Sequence, residues 1–185
     1  MIVMAFDIAT HTGVALGRAG ETPRAISVDF GKRNQAVVFS KVIRLTCNLL
    51  TKYKPDILVY ESPVGGPKTS HFLVGIAACF AGEASRLGYK PEKLDISSVR
   101  KHFLGRNLTR RDFPHLAPGR ARTEIKRAVI ARCHQLGWRV EDDDQADACA
   151  LWDYAAATIA RTQGAPAGDC SNEPHRAAFD PLACC

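Results

Sequence analysis

The chain has 185 residues, 46% hydrophobic and 24% charged, with a formal net charge of +6; that length and balance describe an ordinary globular protein with a core of its own. No apolar run approaches the roughly 18 residues of a membrane span, and the N-terminal run has no basic leader and is broken by Asp7, so it does not read as a signal peptide. Seven Cys is an odd count and none forms a CxxC pair, which argues against a disulfide framework or a thiolate metal site and suits a reducing cytoplasm.

The first predicted strand covers Ile2 to Ile8 and is apolar except for Asp7. A buried charge without a partner costs several kcal/mol, so Asp7 either caps a strand end or serves a purpose. Ala9 to Gly13 reads as a tight turn, and Val14 to Gly17 runs back as a second strand. Arg24 to Phe30 alternates like a half-exposed third strand. Val38, Val42, Leu45 and Leu49 recur at helical spacing and predict an amphipathic helix over 34–53, ended by Pro55-Asp56. Ile57 to Tyr60 is fully apolar, as in a strand covered on both faces, and it ends at Glu61.

Ser62 to Ser70 is a Gly- and Pro-containing loop, followed by a helix over about 71–87. Gly75, Ala77, Ala78, Ala81 and Gly82 within that helix permit close packing, either in the core or against a second subunit. Leu94 to Ile96 predicts a fifth strand, Ser97 or Ser98 a short helix, and Gly105 to Gly119 a mobile loop. Helices follow over 122–136 and from Asp144 to about Thr162. Cys47, Cys79, Cys133 and Cys149 fall on apolar helix faces as small hydrophobes. From Gly164 to Cys185 there is no period, only Ala, Pro and Gly richness, which marks a poorly ordered tail behind a domain spanning 1–163. The order of elements predicts an α/β fold: a mixed five-stranded sheet with helices on both faces.

Charge is unevenly placed. Between Arg100 and Arg132 ten basic residues face only Asp112 and Glu124, a net +8, which leaves −2 for the rest of the chain. Such a basic segment beside an acidic remainder suits a polyanion-binding surface, although a solvated face would look the same.

Four carboxylates stand out against that background: Asp7 on the first strand, Glu61 closing the fourth, and Asp144 and Asp147 opening the last helix on one face. Asp at a helix start is also an ordinary cap. If the first and fourth strands are neighbours, Asp7 and Glu61 meet at one sheet edge and the helix closes the site. Mg²⁺, or Mn²⁺ in its place, takes hard oxygen ligands, and two ions about 4 Å apart can drive phosphodiester hydrolysis. The basic segment, with Arg100, Lys101, Arg110, Arg111, Arg122 and Lys126, would hold the nucleic-acid backbone.

Phe6-Asp7-Ile8 with its Gly13 turn, Val59-Tyr60-Glu61 at a strand end, and Asp144-Gln145-Ala146-Asp147-Ala148 at a helix start together resemble the RuvC family of Holliday junction resolvases, within the ribonuclease H-like superfamily. The resemblance covers about residues 1–160, and a glutamate ending a strand favours this branch over ribonuclease H proper. It implies a ribonuclease H-like fold and a homodimer that nicks a four-way DNA junction symmetrically with Mg²⁺. Asp7, Glu61, Asp144 and Asp147 would be the metal ligands. Arg100 and Arg122 would stand near the scissile phosphate where Lys is usual, and the helix after the glutamate loop would form the dimer contact. The family's aromatic wedge is replaced here by Val64, and Phe72 has the wrong spacing to substitute. The segment from Arg106 to Arg120 is longer than usual, as in divergent phage-type members. A broader branched-DNA nuclease, an RNA–DNA hybrid nuclease and a non-catalytic DNA-binding protein are the alternatives. An actin-like phosphotransferase shares the first phosphate loop but needs two such lobes. His11, His71 and His115 are candidates for proton transfer.

Overall fold

The computed structural model describes residues 1–31, 34–61 and 70–162. Its strands are β1 (Ile2–Asp7), β2 (His11–Arg18), β3 (Arg24–Asp29), β4 (Ile57–Glu61) and β5 (Glu92–Leu94). Its helices are α1 (Gln35–Tyr53), α2 (His71–Arg86), α3 (Ile96–Leu104), α4 (Pro118–Gln135) and α5 (Asp143–Thr162). The five strands form one mixed sheet in the order β3-β2-β1-β4-β5. β1 pairs antiparallel with β2 and parallel with β4, which puts β1 at the centre. The expected five-stranded α/β sheet is what the chain forms.

Side chains alternate along a strand, and here the alternation sorts two cores. Val3, Ala5, Ile57, Val59 and Leu94 face α3, α4 and α5, where Val99, Phe103, Val129, Leu151 and Trp152 complete the packing. Met4, Phe6, Val14 and Leu58 face α1 and α2, meeting Val38, Leu49, Ile76 and Phe80. The predicted helical stripe of α1 is thus the stripe that is buried. Trp152 packs closely against the sheet: its indole N–H donates to the Gly17 carbonyl at 3.4 Å, and a Cβ on Gly17 would approach that ring to 3.1 Å.

Several boundaries differ from the sequence expectation, each for a local reason. β2 begins at His11, because the Thr12 hydroxyl closes the turn by donating to the Ala9 carbonyl at 2.7 Å. The fifth strand ends at Leu94, because Asp95 accepts the Ser98 N–H at 3.0 Å and caps α3. α4 starts at Pro118, earlier than expected, with proline in the first turn where its missing N–H costs nothing. The segment read as a loop contains a 3₁₀ turn, Arg110–Asp112, closed by a reciprocal Thr109–Asp112 capping box. The expected tail, 164–185, and most of the Ser62–Ser70 loop, including Val64, lie outside the described residues.

α1 ends on Lys54 in the left-handed conformation, at φ 44°. A side chain there is strained relative to glycine, so Lys54→Gly is expected to stabilise the fold by about 1 kcal/mol in urea unfolding.

Candidate active site

The register brings the first two carboxylates together. Ala5 lies opposite Val59 and Phe6 opposite Tyr60, so the next residues along each strand, Asp7 and Glu61, end neighbouring strands at the same level. By alternation both belong to the face covered by α5, with Ala5 and Val59. Their side chains share a hydrogen bond, and the Asp7 carboxyl is held well above its ordinary value, first by burial and then by the charges of Glu61, Asp147 and Asp144. Burial likewise raises Glu61, opposed by the nearby cations Arg100 and Arg122.

α5 supplies the other two. Asp147 is 7% exposed, and burial pushes it up to about 6 against the pull of Arg100. Asp144, half-buried one turn earlier, is also raised by burial, with Lys126 opposing. All four predicted carboxylates therefore converge, from β1, β4 and α5.

Three features fix the start of α5. Asp142 caps it by accepting the Gln145 N–H at 2.8 Å, and it also accepts the Ser27 hydroxyl of β3. Lys126 of α4 pairs with Asp143. Gly13 of β2, opposite Asp7 in the register, lies so close to the helix that a Cβ there would stand 1.9 Å from the Asp144 carbonyl oxygen. The sequence reading placed Gly13 in a turn and took no account of Asp142 or Asp143. The run of three Asp was the available signal for a helix start anchored at more than one point.

The six predicted basic residues divide. Lys101 on α3, Arg110 and Arg111 in the 3₁₀ turn, and Arg122 on α4 are exposed. Arg100 is half-buried beside Glu61 and Asp147, and Lys126 is turned to Asp143. Of the three candidate histidines, His11 bears on Asp144 and pairs with Asp29 at 3.2 Å. His71 and His115 are exposed. Phe72 packs against Phe39, ring centroids 5.7 Å apart, within the α1–α2 contact.

A cluster of carboxylates with no Cys or His among them is the donor chemistry of a hard divalent cation. The donor types fit, but the cage is not closed: among the described residues, no three Asp, Glu, His or Cys side chains stand arranged to hold an ion. Among the same residues no helix is long and apolar enough to cross a membrane.

No family model and no curated protein sequence matches the chain. Solved structures do. RuvC of Thermus thermophilus matches with a TM-score of 0.64 at 16% identity, over 88% of this chain and 97% of that one. The same protein in complex with a Holliday junction substrate gives 0.65 at 16% identity, over 88% and 96%. The yeast mitochondrial Holliday junction resolvase Ydc2 gives 0.51 at 13% identity, over 86% and 80%. The chain therefore has the RuvC-type, ribonuclease H-like fold.

Proposed function

We propose that this chain is a RuvC-like, metal-dependent endonuclease that cleaves four-way DNA junctions. The observation that carries the proposal is the meeting of Asp7, Glu61, Asp144 and Asp147 on one face of a RuvC-type sheet, each driven towards the protonated form first by burial, and Asp7 also by the charges of the other three. A protein does not gain stability by crowding unpaired carboxylates. Such a cluster serves a ligand that supplies the missing positive charge.

Asp7, Glu61, Asp144 and Asp147 would hold Mg²⁺ or Mn²⁺, two ions in this reading. When bound, the ions supply the Lewis acidity that phosphodiester hydrolysis requires. The remaining work belongs to side chains of the chain. Lys101, Arg110, Arg111 and Arg122 neutralise the DNA backbone, and Arg122 stands nearest the cluster through its influence on Glu61. His11, beside Asp144, is the histidine placed to move a proton at the site edge. The central strands β1 and β4, buried on both faces, keep Asp7 and Glu61 in register while the substrate is held.

Symmetric nicking of a junction needs two such sites, and a homodimer would supply them. In α2, Gly75 is used within the chain, since a Cβ there would come within 2.6 Å of the Phe39 ring. Val74, 44% exposed, with Ala78 and Gly82 on the same outward face, would be the dimer contact.

The test is cleavage of a labelled, immobile four-way junction with Mg²⁺, beside linear duplex, a flap and an RNA–DNA hybrid. Paired nicks on opposed strands of the junction alone are the expected result. Equal cleavage of flaps would make it a broader branched-DNA nuclease, in keeping with valine at position 64. Tight junction binding with no cleavage of any substrate would overturn the nuclease reading.

A further inference from the structure

Gln145 stands between Asp144 and Asp147 in the sequence and is itself 5% exposed. Burying an amide costs free energy unless its groups are paired, and here both ends are. Its Oε1 accepts the Glu141 N–H at 3.1 Å, and its amide nitrogen donates to the Ser27 hydroxyl oxygen at 3.4 Å. The direction of each bond follows from its neighbours. A backbone N–H can only donate, so Oε1 faces Glu141. The Asp142 carboxylate accepts the Ser27 hydroxyl, which leaves the Ser27 oxygen to receive the amide. Asp142 also accepts the Gln145 backbone N–H at 2.8 Å. Ser27, Asp142 and Gln145 thus tie the first turn of α5 to β3, the edge strand, which supplies none of the four carboxylates.

The tie pulls on one flank of the helix. Gln145 and Trp152, seven residues apart, share that flank, and Trp152 rests on Gly17 of β2 beside Pro23, which leads into β3. Asp147, two residues beyond Gln145, lies about 160° away around the axis, on the flank towards β1 and β4, where Asp7 and Glu61 end. Between the two flanks the helix backbone bears on Gly13 of β2. We propose that Gln145 is a positioning residue of the cluster: its grip on Ser27 sets the roll of α5 about that contact, and with it how Asp147 meets Asp7 and Glu61. This inference rests on the reading of the cluster as a metal site. It gives β3 a part in metal binding although no β3 side chain is one of the four ligands. A side chain that orients a ligand without touching the ion is commonly worth about ten- to a hundredfold in metal affinity.

Calorimetric titration of the full chain, stripped of metal, with Mn²⁺ tests the grip. Gln145→Met fills a similar volume without either hydrogen bond, and is expected to bind Mn²⁺ about tenfold more weakly than the unsubstituted chain. Ser27→Ala is expected to weaken binding about fivefold. Ser27→Thr keeps the hydroxyl on a strand that suits a β-branched residue, and should restore affinity to within about twofold. The double variant Gln145→Met/Ser27→Ala should lose no more than Gln145→Met alone, because both act through one contact. Ile159→Ala, buried on the same helix about four turns away, is the control for lost stability: it should lower Tm and leave Mn²⁺ affinity unchanged. Parental affinity in Gln145→Met, losses that add in the double variant, or an equal loss in Ile159→Ala would overturn the positioning role and leave the metal site standing. No Mn²⁺ binding by the unsubstituted chain would overturn the metal site itself, and the inference with it.

Discussion

Asp7→Asn is expected to lower junction cleavage by about a thousandfold or more while raising the thermal stability of the metal-free protein. The first effect follows from removing one charged donor of four at the centre of the cluster, a group whose loss ordinary binding energy does not replace. The second follows from linkage. A carboxylate whose folded pKa lies above its unfolded value binds its proton more tightly in the native state. It therefore destabilises the fold as pH rises from the unfolded value through the folded one, and the full cost remains at higher pH. Asp7 is raised in this sense, and Asn cannot ionise.

Asp147 gives the window. Its folded value of about 6, against an ordinary 3.8, means that metal-free stability falls between about pH 4 and pH 6, by about 3 kcal/mol from this group. Scanning calorimetry in EDTA from pH 4 to 8 should show a Tm that declines with pH in the unsubstituted chain and declines less in Asp7→Asn. Adding Mg²⁺ at pH 8 should restore Tm in the former and have little effect in the latter. A Tm for Asp7→Asn at or below that of the unsubstituted chain at pH 8 would contradict the crowded-carboxylate account.

Gly13→Ala is the second large effect. The added methyl would sit 1.9 Å from the Asp144 carbonyl oxygen and 2.5 Å from its carbon, both backbone atoms of α5. Neither can rotate away, so the helix must lift from β2 or β2 must bend. Overpacking of this kind costs about 3 kcal/mol. The displacement falls on the turn that carries Asp144 and Asp147, so cleavage should fall by about a hundredfold or more even at temperatures where the variant stays folded. Gly119→Ala is the control, because nothing stands within 4 Å of its position on α4. It should unfold at the same urea concentration as the parent, or slightly higher, and cleave normally. A Gly13→Ala protein with parental stability would show that α5 is not seated on β2 as described.

Sequence alone went far with the carboxylates because each sits where a periodic pattern breaks. Asp7 interrupts an apolar run, Glu61 ends one, and Asp144 and Asp147 open a helical stripe at a spacing of three. The register that brings Asp7 level with Glu61 was a conditional in the sequence, and the fold meets the condition by pairing Phe6 with Tyr60. Gly13 was visible only as a turn residue, because close approach to a helix more than a hundred residues away leaves no local mark. Arg100 was picked out of the ten basic residues by resemblance, as a group near the scissile phosphate. Its partial burial on α3 was not legible, because Asp95, which caps that helix, was read as strand. Phe72 had the wrong spacing for a wedge, and in the fold its ring packs against Phe39. Local chemistry was legible, and long-range neighbours were not.

The four carboxylates come from β1, β4 and α5, the first, a middle and the last element of the described chain. The first two are in hand once 61 residues have been made, and the other two only after 147. A nascent chain, or one whose final helix has come loose, therefore carries half a donor set. On the proposed function, such a chain is harmless to the DNA around it. The site is complete only while α5 stays docked through Trp152 and Gly13 onto β2, so loss of that one contact would disarm the nuclease without any separate inhibitor.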